Sequence, residues 1–113
     1  MDLDGFRRAR EEFDSGHITL NSVTNFGGRV VIEPNELLRA LLFESRLCGQ
    51  TAKFSLGLPG GATNDDREWF ANVIASMSEG KLLPNEALSF VRQRRVLSAD
   101  EAKRYGLVDE VLL

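Results

Sequence analysis

One cysteine, Cys48, among 113 residues excludes an internal disulfide, and with it the class of small secreted domains stapled by several bridges. One histidine, His17, leaves a single imidazole for base or ligand duty. Carboxylate pairs such as Glu11-Glu12 and Asp65-Asp66 show no recurring ligand spacing, so neither a metal site nor a cofactor is expected. No long apolar run is present either: the opening MDLDGFRRAREEF is too polar for a signal peptide or a membrane span, which makes the cytoplasm the expected compartment and a membrane an unexpected partner. Positive charge is in the minority, 14 Lys and Arg against 17 Asp and Glu, so nucleic acid is not expected as a partner. No phosphate loop of the kind that ends in Lys-Ser or Lys-Thr occurs, and there are no repeats.

What remains is the composition of an ordinary folded protein, 42% hydrophobic and 27% charged, at a length suited to one α/β domain over residues 1–113 with a single core. Asp2 or Asp4 can cap a helix to about Phe13 with Leu3, Phe6, Arg10 and Phe13 on one side. HITLNSV alternates like a strand exposed on one face, and NFGG makes a turn. RVVI at 29–32 reads as a buried strand. EPNELLRALLFES reads as a helix with Leu37, Leu38, Leu41 and Leu42 on its apolar stripe. TAKFSL alternates again, setting Ala52, Phe54 and Leu56 against Thr51, Lys53 and Ser55, before the loop GLPGGATN.

From Asn64 or Asp65 to about Ser78 the spacing predicts a longer helix with an aromatic face: Trp69, Val73 and Met77 in one line, Phe70 and Ile74 beside it. Pro84 starts another helix, followed by RQRR, a basic cluster best read as a solvated face. The end, LSADEAKRYGLVDEVL, has the clearest local grammar. Ser98 and Glu101 have the spacing of a capping box, Gly106 can take the left-handed conformation that stops the helix after Tyr105, and Leu107 and Val108 re-enter the core before a strand at 111–113. Helices alternating with apolar strands argue for a layered α/β fold.

The terminal LSADEAKRYGLVDEV resembles the segment that closes the ClpP serine peptidases and, more loosely, the ClpP/crotonase superfamily. Three stretches follow in that family's order. Asn25-Phe26-Gly27-Gly28 resembles its Asn-Ser-Pro-Gly-Gly turn, Gly49-Gln50-Thr51-Ala52-Lys53 its Gly-Gln-Ala-Ala-Ser nucleophile segment, and Leu58-Pro59-Gly60-Gly61-Ala62 its Pro-Leu-Gly-Gly-Ala loop. The resemblance is densest over 58–113 and implies a shortened ClpP-like fold.

The same resemblance implies where chemistry would sit. Gly27 and Gly28 fall on the turn that supplies an oxyanion donor, the nucleophile falls on Lys53, the histidine on Leu56 or Gly57, and the aspartate in Phe90 to Arg95, which holds no carboxylate. Only six residues separate Lys53 from Gly60, too few for the helix and strand that the family places there. Acyl transfer needs nucleophile, base, orienting group and oxyanion donors, so the expectation is a chain without the catalytic triad. One active alternative is a Ser-Lys dyad of Ser55 and Lys53, which on a strand share a face about 6.5–7 Å apart, though that face lies opposite the apolar residues.

The helix bearing Trp69 corresponds to the handle through which ClpP subunits pair, so the resemblance implies a self-association surface at Trp69, Phe70, Val73, Ile74 and Met77. The expected function is a non-catalytic subunit or adaptor acting as a homo-oligomer or within a ClpP-type assembly. The alternatives are a Ser-Lys hydrolase and a small protein-interaction module unrelated to peptidases. Cys48, with no base in the flanking LCGQT, reads as a buried inert thiol.

Overall fold

A computed structural model describes residues 1–113. Asp2 begins the chain's first helix, α1 (Leu3–Ser15), by accepting a 2.7 Å hydrogen bond from the Gly5 N–H. The order then runs β1 (Thr19–Asn25), β2 (Val31–Ile32), α2 (Pro34–Ala40), β3 (Phe43–Gly49), β4 (Lys53–Ser55), α3 (Asn64–Met77), α4 (Pro84–Arg92), β5 (Val96–Ser98), α5 (Ala99–Arg104) and β6 (Glu110–Leu112).

The strands form two three-stranded sheets. In the first, β3 lies between β1 and β6 and all pairings are parallel, Leu47 facing both Asn25 and Glu110. In the second, β4 lies between β2, which is parallel to it, and β5, which is antiparallel. Parallel neighbours need crossover connections, and the helices and the other sheet fill them. The result is an α/β fold. A core of 24 buried residues draws on both sheets and all five helices; Ile32, Phe54 and Leu97 pair across the second sheet and are fully buried.

Three readings of the sequence are corrected. RVVI is not a buried strand: β2 keeps only Val31–Ile32 at a sheet edge, with Val30 58% and Val31 48% exposed. EPNELLRALLFES is not one helix: α2 stops at Ala40, and Phe43 opens β3, the central strand of the first sheet. Leu37, Leu38 and Leu41 are buried as expected while Leu42 is half-buried in the turn. The helical spacing of the leucines continues into residues that a parallel sheet claims, and tertiary pairing outranks local propensity there. HITLNSV was expected to hide one face, yet β1 is an edge strand whose register slips between Thr19 and Val23, with Asn21 at φ +58. The irregularity breaks the alternation, leaving Leu20 76% exposed.

The terminal unit matches its reading closely. Ser98 accepts the Glu101 N–H at 3.1 Å, Glu101 accepts the Ser98 N–H at 3.1 Å, and Gly106 has φ +75. α3 starts at Asn64, as its spacing predicts, behind a Thr63 cap that forms a capping box with Asp66. RQRR leads into β5, whose three residues were not recognisable as a strand.

Candidate functional site

On β4 the alternation holds: Ala52, Phe54 and Leu56 are buried, Lys53 is exposed and Ser55 half-buried. Lys53 and Ser55 therefore share the outer face of the second sheet, beside Val31 and Val96 of the neighbouring strands. Neither lines any of the four cavities of the molecule. His17 is exposed in the connection between α1 and β1.

The NFGG turn does meet the GQTA segment. A side chain on Gly49 would place its Cβ 3.0 Å from the Gly27 carbonyl oxygen, so the two backbones touch only because residue 49 is glycine. Gly27 stands at φ +61, and its N–H donates to Asn25 Oδ1 at 2.8 Å. That amide, one of the two on the turn to which the resemblance assigns an oxyanion donor, is thus engaged in a local Asx turn, whereas Gly28 is exposed beside it. Where the resemblance puts the histidine, Leu56 is fully buried, and Gly57 lies beneath the side chain of Arg94, whose Cζ is 3.0 Å from where a Gly57 Cβ would be. Arg94 comes from the segment assigned to the aspartate and donates to the Leu58 carbonyl at 2.6 Å.

The aromatic face of α3 is covered by the chain itself. Phe70 and Ile74 are fully buried, which corrects the expectation that they face a partner. Trp69 is half-buried edge-on to Phe6 and Phe13, with ring centroids 6.1 and 6.0 Å away, and Arg10 stacks over its indole at 4.7 Å. Val73 and Met77 are half-buried against the core. The N-terminal helix α1, read only as a short amphipathic helix, supplies this cover.

The same two helices hold an ion cluster that no local spacing reveals, since its members stand 55 to 59 residues apart. Arg10 donates to Asp65 and Asp66 at 3.1 Å each, and Arg7 approaches Asp66 at 3.5 Å. Burial pushes the Asp66 carboxyl up, but the Thr63 N–H, the Thr63 hydroxyl and Arg7 together outweigh it and hold the group below the usual carboxylate range.

A second unforeseen site is Arg46 on β3, 6% exposed, which gives its guanidinium to the carbonyls of Leu107 at 2.8 Å, Phe43 at 3.1 Å and Gly106 at 3.4 Å. Its backbone N–H donates to Asp109 Oδ2 at 2.7 Å. Burial lowers its affinity for a proton, and Asp109 and Glu79 partly restore it. Arg46 forms part of the wall of a polar cavity of about 380 Å³, yet the carbonyls already occupy it as a strut. Burial, then Asp100, pushes the Cys48 thiol up, keeping thiolate scarce. No group of three or more His, Cys, Asp or Glu side chains is placed to hold a metal ion, and no helix is long and apolar enough to cross a membrane.

No protein-family model and no curated protein matches the sequence. Among solved structures, the fold is similar to ClpP1 from Listeria monocytogenes, with a TM-score of 0.64, 16% identity, and 96% of this chain and 82% of that one covered. It is similar also to a mutant of the 1510-N membrane-bound stomatin-specific protease, at a TM-score of 0.64 and 13% identity over 97% of this chain and 58% of that one. An enoyl-CoA hydratase/isomerase family protein from Hyphomonas neptunium aligns at a TM-score of 0.50 and 21% identity over 73% of this chain. The chain spans only 29% of the length of that protein. At these identities the likeness establishes the fold: this chain is built as a ClpP/crotonase-type α/β structure.

Proposed function

We propose that this chain is a non-catalytic subunit on a ClpP-like frame, acting through association with copies of itself or with a larger assembly. The observation that carries the reading is Lys53: the residue aligned with the family's nucleophile is an exposed cation on the outside of a sheet, away from every cavity. Support for association comes from uncovered apolar surface. Ile18, Leu20 and Val23 along the first edge are 50%, 76% and 58% exposed, a strip that a soluble monomer gains nothing by displaying. With Phe70 and Ile74 inside the core, this edge takes the role that the resemblance gave to the handle helix.

A second reading, a Ser-Lys hydrolase, is favoured by the placement of Lys53 and Ser55 on one face of β4. Treatment with a fluorophosphonate probe separates the two. No labelling is expected; labelling abolished by Ser55→Ala overturns the non-catalytic reading. Light scattering after size exclusion is expected to give a mass above one chain that falls to the monomer in Leu20→Asp, and a wild-type monomer at all concentrations overturns the association.

A further inference from the structure

Eleven arginines stand in the sequence, and five of them, Arg7, Arg10, Arg29, Arg39 and Arg95, are paired with carboxylates. Three of the unpaired ones, Arg67, Arg92 and Arg94, converge on one cleft of about 430 Å³ that has no carboxylate among its lining residues. In a chain whose net charge is -3, such a concentration of one sign is not a consequence of composition. The acids flanking Arg67 in sequence, Asp65, Asp66 and Glu68, do not line the cleft, and Asp65 and Asp66 are turned to Arg10 and Arg7 on α1.

The three cations are presented from different elements. Arg67, in the first turns of α3, is braced by the Ala62 carbonyl at 3.1 Å and Asn64 Oδ1 at 2.8 Å. Arg92 ends α4 and is exposed, and Arg94 follows it in a left-handed conformation, φ +55, with its side chain laid over Gly57. A side chain at residue 57 would displace that guanidinium. The floor of the cleft is the Gly60-Gly61 turn, whose N–H groups donate to no other backbone group, and a Cβ at Gly60 would meet open space. Guanidinium forks and bare glycine amides together match the geometry of phosphoryl oxygens, and three positive charges without a counter-ion match a group of multiple negative charge better than a single carboxylate.

We propose that the cleft between Arg67, Arg92, Arg94 and the Gly60-Gly61 turn binds a phosphate-bearing anion. The site is independent of whether the chain associates, and nothing in it requires Lys53 or Ser55.

The test is an amide NMR titration of the full chain with inorganic pyrophosphate, with acetate as the singly charged comparison. Saturable shifts are expected at Gly60, Gly61, Arg67 and Arg92, with affinity falling about tenfold in Arg67→Gln and in Arg92→Gln, and unchanged in Arg104→Gln, which lies on another cavity. Arg92 is exposed, so its replacement leaves the fold intact and the comparison readable. Three results would each overturn the proposal: no saturation by about 10 mM pyrophosphate, equal losses from Arg104→Gln and Arg92→Gln, or acetate binding as tightly as pyrophosphate.

Discussion

Gly106 shows how far one residue constrains this fold. It stops α5 at φ +75, and a Cβ there would lie 2.5 Å from the Ser78 carbonyl oxygen, backbone that cannot swing aside. Gly106→Ala therefore combines a strained conformation with a clash and is expected to cost roughly 2–4 kcal/mol, read as a lowered urea midpoint at unchanged slope. Acid response is set by two carboxylates. Asp66 is held low against the pull of burial by Thr63 and Arg7, and Glu101 by the Ser98 N–H and then Arg95. Because both release protons more readily folded than unfolded, their stabilisation is complete above an unfolded value of about 4 and is lost as the pH falls through the lower folded values. Denaturant titrations at pH 7, 5 and 3 should show little change over the first interval and a fall over the second. Asp66→Asn should flatten that fall; an unchanged profile in this variant would exclude Asp66 as a cause.

Helices α1 and α3 are joined through side chains, Phe6 and Phe13 against Trp69 and Arg10 against Asp65 and Asp66. Trp69→Ala removes contacts with Phe6, Phe13 and Arg10 and is expected to destabilise the chain by about 2–3 kcal/mol, with amide exchange accelerated first in α1. The elements most legible in the sequence are those that carry their own stop and start signals. Ser98, Glu101 and Gly106 close α5 through bonds between near neighbours, so spacing alone located them. Phe43–Gly49 carries no such mark: its strand identity comes from β1 on one side and β6 on the other, where Leu47 faces Glu110 from 63 residues away. The breadth of apolar surface on α3 was legible too, but its cover was not, because the pairing of Arg10 with Asp65 and Asp66 and the seating of Phe6 on Trp69 depend on distance in space.

At the scale of the molecule, the likeness of the ending to ClpP identified the fold, and the compressed stretch between Lys53 and Gly60 was visible as missing length. What compression does to the site was not visible. Lys53 lies on β4 itself and Arg94 lies over Gly57, so the positions to which the resemblance assigns a reactive centre hold a sheet surface and a cation. The edge at β1 is open and unguarded: Thr19–Asn25 contains no charged residue, and charge is the usual protection of an open strand. Val23→Lys, beside the bulge, is accordingly expected to lower the associated mass in light scattering while leaving the urea midpoint within about 0.5 kcal/mol of the parent; an unchanged mass would move the contact elsewhere.

Arg46 has a bearing on how the chain reaches this shape. Its guanidinium needs the carbonyls of Gly106 and Leu107, and its amide needs Asp109, so a charge in the middle strand stays without most of its partners until residues 60 to 63 positions further along the chain have been made. Nascent chains should therefore dock β6 against β3 in one late, cooperative event, and premature termination anywhere before Gly106 would release a product whose central strand has lost one flank and its cation all but one of its carbonyl acceptors.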